Sequence, residues 1–487
     1  MFTRDQLFIG GTWQQPATTA TIETISPFTE QVNGSVPDAQ PADVDAAVSA
    51  ARAAVDSGPW ARMSGQERSE IMGKLSTLLQ SRQDELASTI TNEMGAPLAF
   101  SYMGQVFAAT MVLDYFVDLA SKFQFEELRN GVMGPAVVRK EPVGVAVGIV
   151  PWNVPLYISM LKLGPALASG SSIILKPSPE APHSSFLLAD AIAEAGVPEG
   201  VVSILPGGRE LGAYMVSHPG VDKVSFTGST AAGRKVAAVC GEQLKRVTLE
   251  LGGKSAAILL DDVNIDEALP NLMMGAMLNN GQACVAQTRI LVPASRSAEL
   301  TEAIVEAVKA MPVGDPAEMD TQIGPLIADR QRTRVLDYIE AGKSQGATLA
   351  TGGGRPDIDS GYFVEPTVFT GVDNTMKIAQ EEIFGPVLSV IEYSDENDAV
   401  AIANNSDYGL SGTVFSASVD RGLDVARQVR TGTYTVNGFM LEPAAPFGGF
   451  KQSGIGRELG PEGLNAFLET KSISLPGGYE PTLRQGG

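Results

Sequence analysis

Cys284 is the first residue in this chain whose surroundings suggest chemistry. It lies in Asn279-Asn280-Gly281-Gln282-Ala283-Cys284-Val285-Ala286, where small and amide residues suit a tight turn. Such a turn at a helix start would present N–H groups that favour a thiolate, the nucleophilic form of cysteine. An isolated cysteine is more often a small buried hydrophobe, and Cys240, in the apolar helix Val236–Cys240, keeps that reading. Glu250 sits in Thr248-Leu249-Glu250-Leu251-Gly252-Gly253-Lys254-Ser255. A carboxylate at a strand end between leucines is partly desolvated, which raises its pKa and tunes it as a general base; the plainer alternative is an ion pair. Asn153, in Pro151-Trp152-Asn153-Val154-Pro155, is an amide held between prolines that could donate to an oxyanion or simply make a turn.

Other chemistries are poorly supplied. The chain has two cysteines and two histidines. These make neither a disulfide framework nor zinc-ligand spacing, so no metal is expected. His183 and His218 fall in turns next to prolines and read as loop or cap residues, so a Ser-His-Asp catalyst is not expected. The Gly-Lys-Ser after Glu250 is not a phosphate loop, because Thr248 stands where the first glycine is needed. A net charge of −21 opposes nucleic acid and anionic membrane surfaces. The longest apolar run, from Val143 into Trp152, is shorter than a bilayer span, and no signal peptide is read at Met1, so a soluble, cytoplasmic protein is expected.

These residues need a scaffold. At 487 residues the chain should divide into two or three domains. Helical periodicity covers 41 to 56 and 66 to 90. From residue 143, short apolar runs alternate with helices: Val143–Val150, Ser172–Leu175, Val201–Leu205, Val224–Phe226, Val247–Leu249 and Ala256–Leu260. Such runs, buried on both faces, predict a parallel βαβ sheet. Lys176 ends one strand, where open α/β sheets bind ligands. Gly228 to Gly233 opens a helix after another, although Thr230 replaces the second glycine of a dinucleotide signature. A second α/β region follows Lys254, with helices at Glu299–Met311, Ala328–Gly346 and Asp398–Asn404 and strands at Pro366–Phe369, Val387–Ile391 and Gly412–Phe415. The chain closes on a strand at Ser472–Pro476, which is expected to pair with another subunit's sheet.

Taken in order, Pro151-Trp152-Asn153, Lys176-Pro177-Ser178, Phe226-Thr227-Gly228-Ser229, Leu249-Glu250-Leu251-Gly252-Gly253-Lys254, Gly281-Gln282-Ala283-Cys284, Glu381-Glu382-Ile383-Phe384-Gly385-Pro386 and Pro446-Phe447-Gly448-Gly449 resemble the aldehyde dehydrogenase superfamily, in its hydrolytic, non-acylating branch. The resemblance covers nearly the whole chain. It implies an α/β fold: a Rossmann-like parallel-sheet cofactor domain (1–121 and 143–253), an α/β catalytic domain (254–455) and a small β oligomerisation element (122–142 with 456–487) in a homodimer or homotetramer.

The resemblance also implies roles. Cys284 attacks the aldehyde, the Asn153 amide and the Cys284 N–H hold the oxyanion, and Glu250 activates water against the thioester. Lys162 and Glu458 match a proton-relay pair, whose plainer reading is an ordinary ion pair. Lys176 and Glu382 take the cofactor's ribose hydroxyls, Phe384 the nicotinamide end, Ser229 the pyrophosphate and Trp152 the adenosine half, with Gly228, Gly233 and Gly252 alongside. Relatives often carry Glu three residues after the motif lysine. Pro179 stands there, and Glu180, one place later, is the candidate to reach the cofactor's ribose instead, so NAD is favoured and NADP is not excluded. Val154, Ile158, Leu161, Val285, Leu441 and Phe447 match the substrate funnel and predict a hydrophobic aldehyde: long-chain, terpenoid or aromatic. A CoA-acylating enzyme is the nearest rival, disfavoured because Glu250 is present. A non-catalytic scaffold or an esterase is more distant.

Overall fold

The computed structural model describes residues 1–484. Apolar runs that bury both faces form the inner strands of an eight-stranded sheet: β1 (Val145–Ile149), β2 (Ser172–Lys176), β3 (Val202–Ile204), β4 (Lys223–Thr227) and β5 (Arg246–Glu250). They are parallel and ordered β5-β4-β1-β2-β3. The chain builds outward from β1 to β3 and then returns beside β1 with β4. This reversal leaves a crevice at the strands' carboxyl ends, the usual ligand position in such sheets. α1 (Pro155–Ser169) makes the first crossover and α2 (Thr230–Glu242) joins β4 to β5. Gly454–Ile455 adds antiparallel to β5, and Leu7–Ile9 antiparallel to β3. The segment proposed to end the catalytic domain at 455 is thus woven into the cofactor sheet.

Only Leu251–Ser255 separates β5 from β6 (Ala256–Leu259) of a second, seven-stranded sheet. After β6 come α3 (Ile265–Met277) and β7 (Arg289–Pro293), and β7 pairs in parallel with β6 and with Val387–Tyr393. The strand expected at Ser472–Pro476 is longer and earlier, β8 (Leu468–Ser474). It pairs antiparallel along its whole length with Gly134–Pro142 of its own chain, which also pairs with Glu126–Gly131, so β8 is the edge strand of a three-stranded sheet with one side open. The C-terminal element proposed for 456–487 runs past the described residues.

The helix read over 66 to 90 divides at Arg82 into Gly65–Ser81 and Gln83–Met94, which lets Leu75, Leu79, Leu86 and Ile90 all enter one core. The helical stretch Leu98–Lys122 has the length and apolar character to cross a membrane, although no unbroken apolar run marks it in the sequence. Here it is a core element: Val106, Val112, Leu113 and Phe116 are buried, and Phe116 packs against Gly164 of α1. His218 caps Arg209–Ser217 as expected of a cap residue. His183 is more than a turn residue, its ring buried on Phe2 and bonded to Thr24.

Candidate active site

β5 delivers Glu250 at its last residue, 2% exposed. Neither carboxylate oxygen has a hydrogen-bond partner among the described residues. Burial, reinforced by the Glu458 charge, holds its pKa well above the carboxylate range. Gly448 makes the space: a Cβ there would come within 2.6 Å of Oε1.

Cys284 does not begin a helix. It follows the short 3₁₀ turn Leu278–Gly281, in the loop between α3 and β7. Asn279, Asn280 and Gly281 are all left-handed (φ 53°, 60° and 71°), a conformation that asparagine and glycine tolerate best. The amides then pin the loop. Asn280 donates to Gly95 O and Pro325 O and accepts from Gly324 N–H, and Gln282 accepts from Ile327 N–H. Gly253 meets the loop so closely that a Cβ would fall 2.3 Å from the Cys284 carbonyl. Burial and the nearby Glu382 and Glu250 carboxylates push the thiol pKa up, against backbone N–H groups of Cys284 and Val285 that pull it down.

Asn153 follows β1, 3% exposed, just ahead of α1, which Pro155 starts at its first position. Its Nδ2 donates to the Gln282 carbonyl (2.8 Å), and its own carbonyl accepts from Asn279 and Gln105. One N–H therefore fixes the amide to the cysteine loop, and the other is left for a ligand. Lys162, on α1, and Glu458 form a buried pair at 2.8 Å. Lys162 also donates to Ser225 and Thr227. Glu458 and Phe447 exchange backbone hydrogen bonds, which ties this pair to the funnel wall. Val154, Ile158, Leu161, Val285, Leu441 and Phe447 pack in one apolar cluster with Cys284 and Trp152.

On the cofactor side, Lys176 ends β2 with its Nζ on the carbonyls of Gly207 and Pro177, and burial lowers its pKa to about 8. Glu382 accepts from Gly253 N–H (3.0 Å), and burial lifts its pKa to about 7. Gly252 lets it approach: a Cβ there would fall 2.5 Å from Oε2. Ser229 caps α2 by accepting from Ala232 N–H. Gly228 lies over the Phe226 ring and Gly233 against Leu251, so both are close-approach positions. Trp152 and Phe384, expected at opposite ends of the cofactor, touch edge to face with centroids 5.4 Å apart. Glu180 is engaged by Ser178 and Arg330. A glycine-bearing strand-to-helix turn, a buried lysine and a half-filled carboxylate at the crevice fit a dinucleotide with ribose hydroxyls.

The sequence reading missed Tyr157, which stands on the funnel face of α1 between Val154 and Leu161, although its i+3 spacing from Val154 was available. It also missed Lys254, buried and without a partner among the described residues, its pKa lowered by burial to about 7. No spacing rule identifies such a residue.

The model of the aldehyde dehydrogenase family matches residues 13–473. The geranial dehydrogenase of Castellaniella defragrans is 46% identical over 472 residues, covering 97% of this chain and 98% of that one. The 3-succinoylsemialdehyde-pyridine dehydrogenase of a Pseudomonas species is 45% identical over 98% of both chains. The crystal structure of a Mycobacterium tuberculosis aldehyde dehydrogenase complexed with NAD+ superposes with a TM-score of 0.97 at 48% identity, covering 99% of this chain and 100% of that one.

Proposed function

The chain belongs to the aldehyde dehydrogenase family, and from that premise we propose that it oxidises hydrophobic aldehydes to carboxylic acids with NAD+ and water. The observation that carries the hydrolytic reading is Glu250, a buried carboxylate with no hydrogen-bond partner among the described residues, beside the Cys284 thiol. The Cys284 thiolate adds to the aldehyde carbon, forming an S–C bond and a tetrahedral oxyanion. The free N–H of Asn153 and the backbone N–H of Cys284 hold that oxyanion. The chemistry supplied by bound NAD+ is that of a two-electron acceptor, which leaves a thioester on Cys284. Glu250 then takes a proton from water as its oxygen attacks the thioester, and the Cys284–carbon bond breaks to release the acid. The raised pKa of Glu250 suits it to accept that proton, and the Lys162–Glu458 pair lies next in line to pass it on.

Lys176 and Glu382 would hold ribose hydroxyls, Ser229 with Gly228 and Gly233 the pyrophosphate, and Phe384 with Trp152 and Gly252 the nicotinamide end. The apolar wall from Val154 to Phe447, without Lys or Arg at its six named positions, supports an apolar substrate, and the geranial dehydrogenase relative acts on one. We assign the small sheet carrying β8, with the exposed Val132 and Met133 at its hairpin tip, to homo-oligomer contacts. A steady-state panel tests the substrate: octanal, a terpenoid aldehyde and benzaldehyde should exceed succinate semialdehyde and betaine aldehyde in kcat/KM. The reverse order refutes the apolar reading. Acyl-CoA product on adding CoA refutes the hydrolytic one.

A further inference from the structure

Tyr157 is a side chain that the reaction above does not use. It sits one turn into α1, on the stripe that carries Val154, Ile158 and Leu161 toward the funnel. It is half-buried, and its hydroxyl makes no hydrogen bond with the described residues. It lies within electrostatic reach of both Cys284 and Glu458, so the hydroxyl is close to the reacting centre. Burial and those two charges push the phenol pKa up, so it stays a donor across the working pH range.

We propose that the Tyr157 hydroxyl donates to a hydrogen-bond acceptor on the aldehyde's chain, so that the enzyme favours apolar aldehydes carrying an oxygen a few atoms beyond the carbonyl over plain hydrocarbons of equal length. This rests on the reading that the substrate lies in the apolar funnel with its carbonyl at Asn153. The substrate's carbonyl oxygen already has two donors, the Asn153 amide and the Cys284 N–H. Asn153 stands two residues ahead of α1 and Tyr157 is the third residue of α1, so both lie at the same end of this helix, where Asn153 bonds the cysteine loop. With the carbonyl oxygen already held, the Tyr157 hydroxyl is left for an atom of the chain beyond it, in the apolar cluster that also contains Cys284. A hydrocarbon lying there would bury the hydroxyl unpaired, whereas an acceptor would pair it. A site that hydrogen-bonds its substrate rejects analogues lacking the partner for this reason.

The test is an ether scan. Heptanal is compared with its three isosteres in which an ether oxygen replaces the third, fourth or fifth chain carbon, using the wild type and Tyr157→Phe with NAD. In the wild type, kcat/KM for the best isostere should exceed that for heptanal by about tenfold. In Tyr157→Phe that ratio should fall toward one, with the ether value dropping and the heptanal value rising a few-fold. Turnover of heptanal, together with an unchanged Kd for NAD, shows that the variant is folded. Three results overturn the inference while leaving the funnel reading intact: no ether preference in the wild type, an unchanged preference in the variant, or an equal loss on all four aldehydes. Wild-type turnover of charged semialdehydes but of none of the four overturns both.

Discussion

Glu250→Gln should separate the two halves of the reaction. The substitution is nearly isosteric at a site 2% exposed, and no hydrogen bond among the described residues is lost with the charge. What disappears is the base. General base catalysis contributes about 10²- to 10⁴-fold, so thioester hydrolysis should slow by that factor, or about 3–5 kcal/mol of barrier. Removing one of the two carboxylates that raise the Cys284 pKa should ease thiol ionisation, so acylation should persist. Stopped-flow mixing with NAD and octanal should therefore show a burst of about one NADH per site, followed by a steady state slowed about 10²- to 10⁴-fold. The wild-type kcat should fall as pH drops through the raised Glu250 pKa, because the base must be ionised, and the variant should lose that limb. Stability provides the control. A carboxylate whose folded pKa is raised costs nothing below its unfolded value of about 4.5. Above that value it costs about 1.4 kcal/mol for each tenfold fall in proton concentration, until pH reaches the folded pKa. The variant should thus melt with the wild type at low pH and above it at about pH 8. A steady-state rate within about tenfold of wild type would refute the base assignment. Loss of the burst with kcat would show instead that Glu250 serves the thiol.

Cys284→Ala should lose oxidation to below detection, while NAD titration gives the wild-type Kd. Residual turnover near wild type would remove the nucleophile. Lys162→Met should destabilise the fold by about 3–5 kcal/mol, because it strands the buried Glu458 carboxylate, and adding Glu458→Gln should recover part of this, as read by denaturant midpoints. Glu180→Gln should raise the NADP-to-NAD ratio of kcat/KM about two- to fivefold, since it removes a negative charge and frees the exposed Arg330.

How much of this could be read in the sequence follows the range of the interactions. The parallel strands were legible because double-faced burial writes itself as contiguous apolar runs, and Gly412–Phe415 was placed to the residue. Cys284, Glu250 and Asn153 were legible as an ordered set of motifs. The structure brings all three to one site. What failed was relational. The helix start expected at Cys284 is replaced by three left-handed residues, a conformation that Asn-Asn-Gly permits but that only the pinning by Gly95, Gly324 and Pro325 enforces. The partner of the last strand within the chain, Gly134–Pro142, went unread because it lies more than three hundred residues earlier. Trp152 was set apart from Phe384 because sequence order says nothing about which rings meet across a crevice.

Unpaired polar groups explain why the site lies where it does. Among the described residues, twelve buried side-chain atoms lack a hydrogen-bond partner, and seven of them belong to Gln105, Glu250, Lys254, Asn279, Gln282 and Glu458 around the cysteine loop. Each costs about 1–3 kcal/mol if left unpaired. A chain selected for stability alone would hardly gather so many in one place. The groups sit between apolar clusters that are otherwise well packed, so the fold tolerates them locally while the remaining core supplies the stability. Their types also suit the chemistry. They include a base without a partner, amide groups aimed at a thiol loop, and an amine whose pKa burial brings to about 7. Filling the gap at Gly448 should test this directly. In Gly448→Ala, the new methyl would press on Glu250 Oε1, and at φ +151° the backbone resists it as well. Deacylation should slow while NAD affinity holds, whereas equal losses in both would mean that Gly448 only supports the fold.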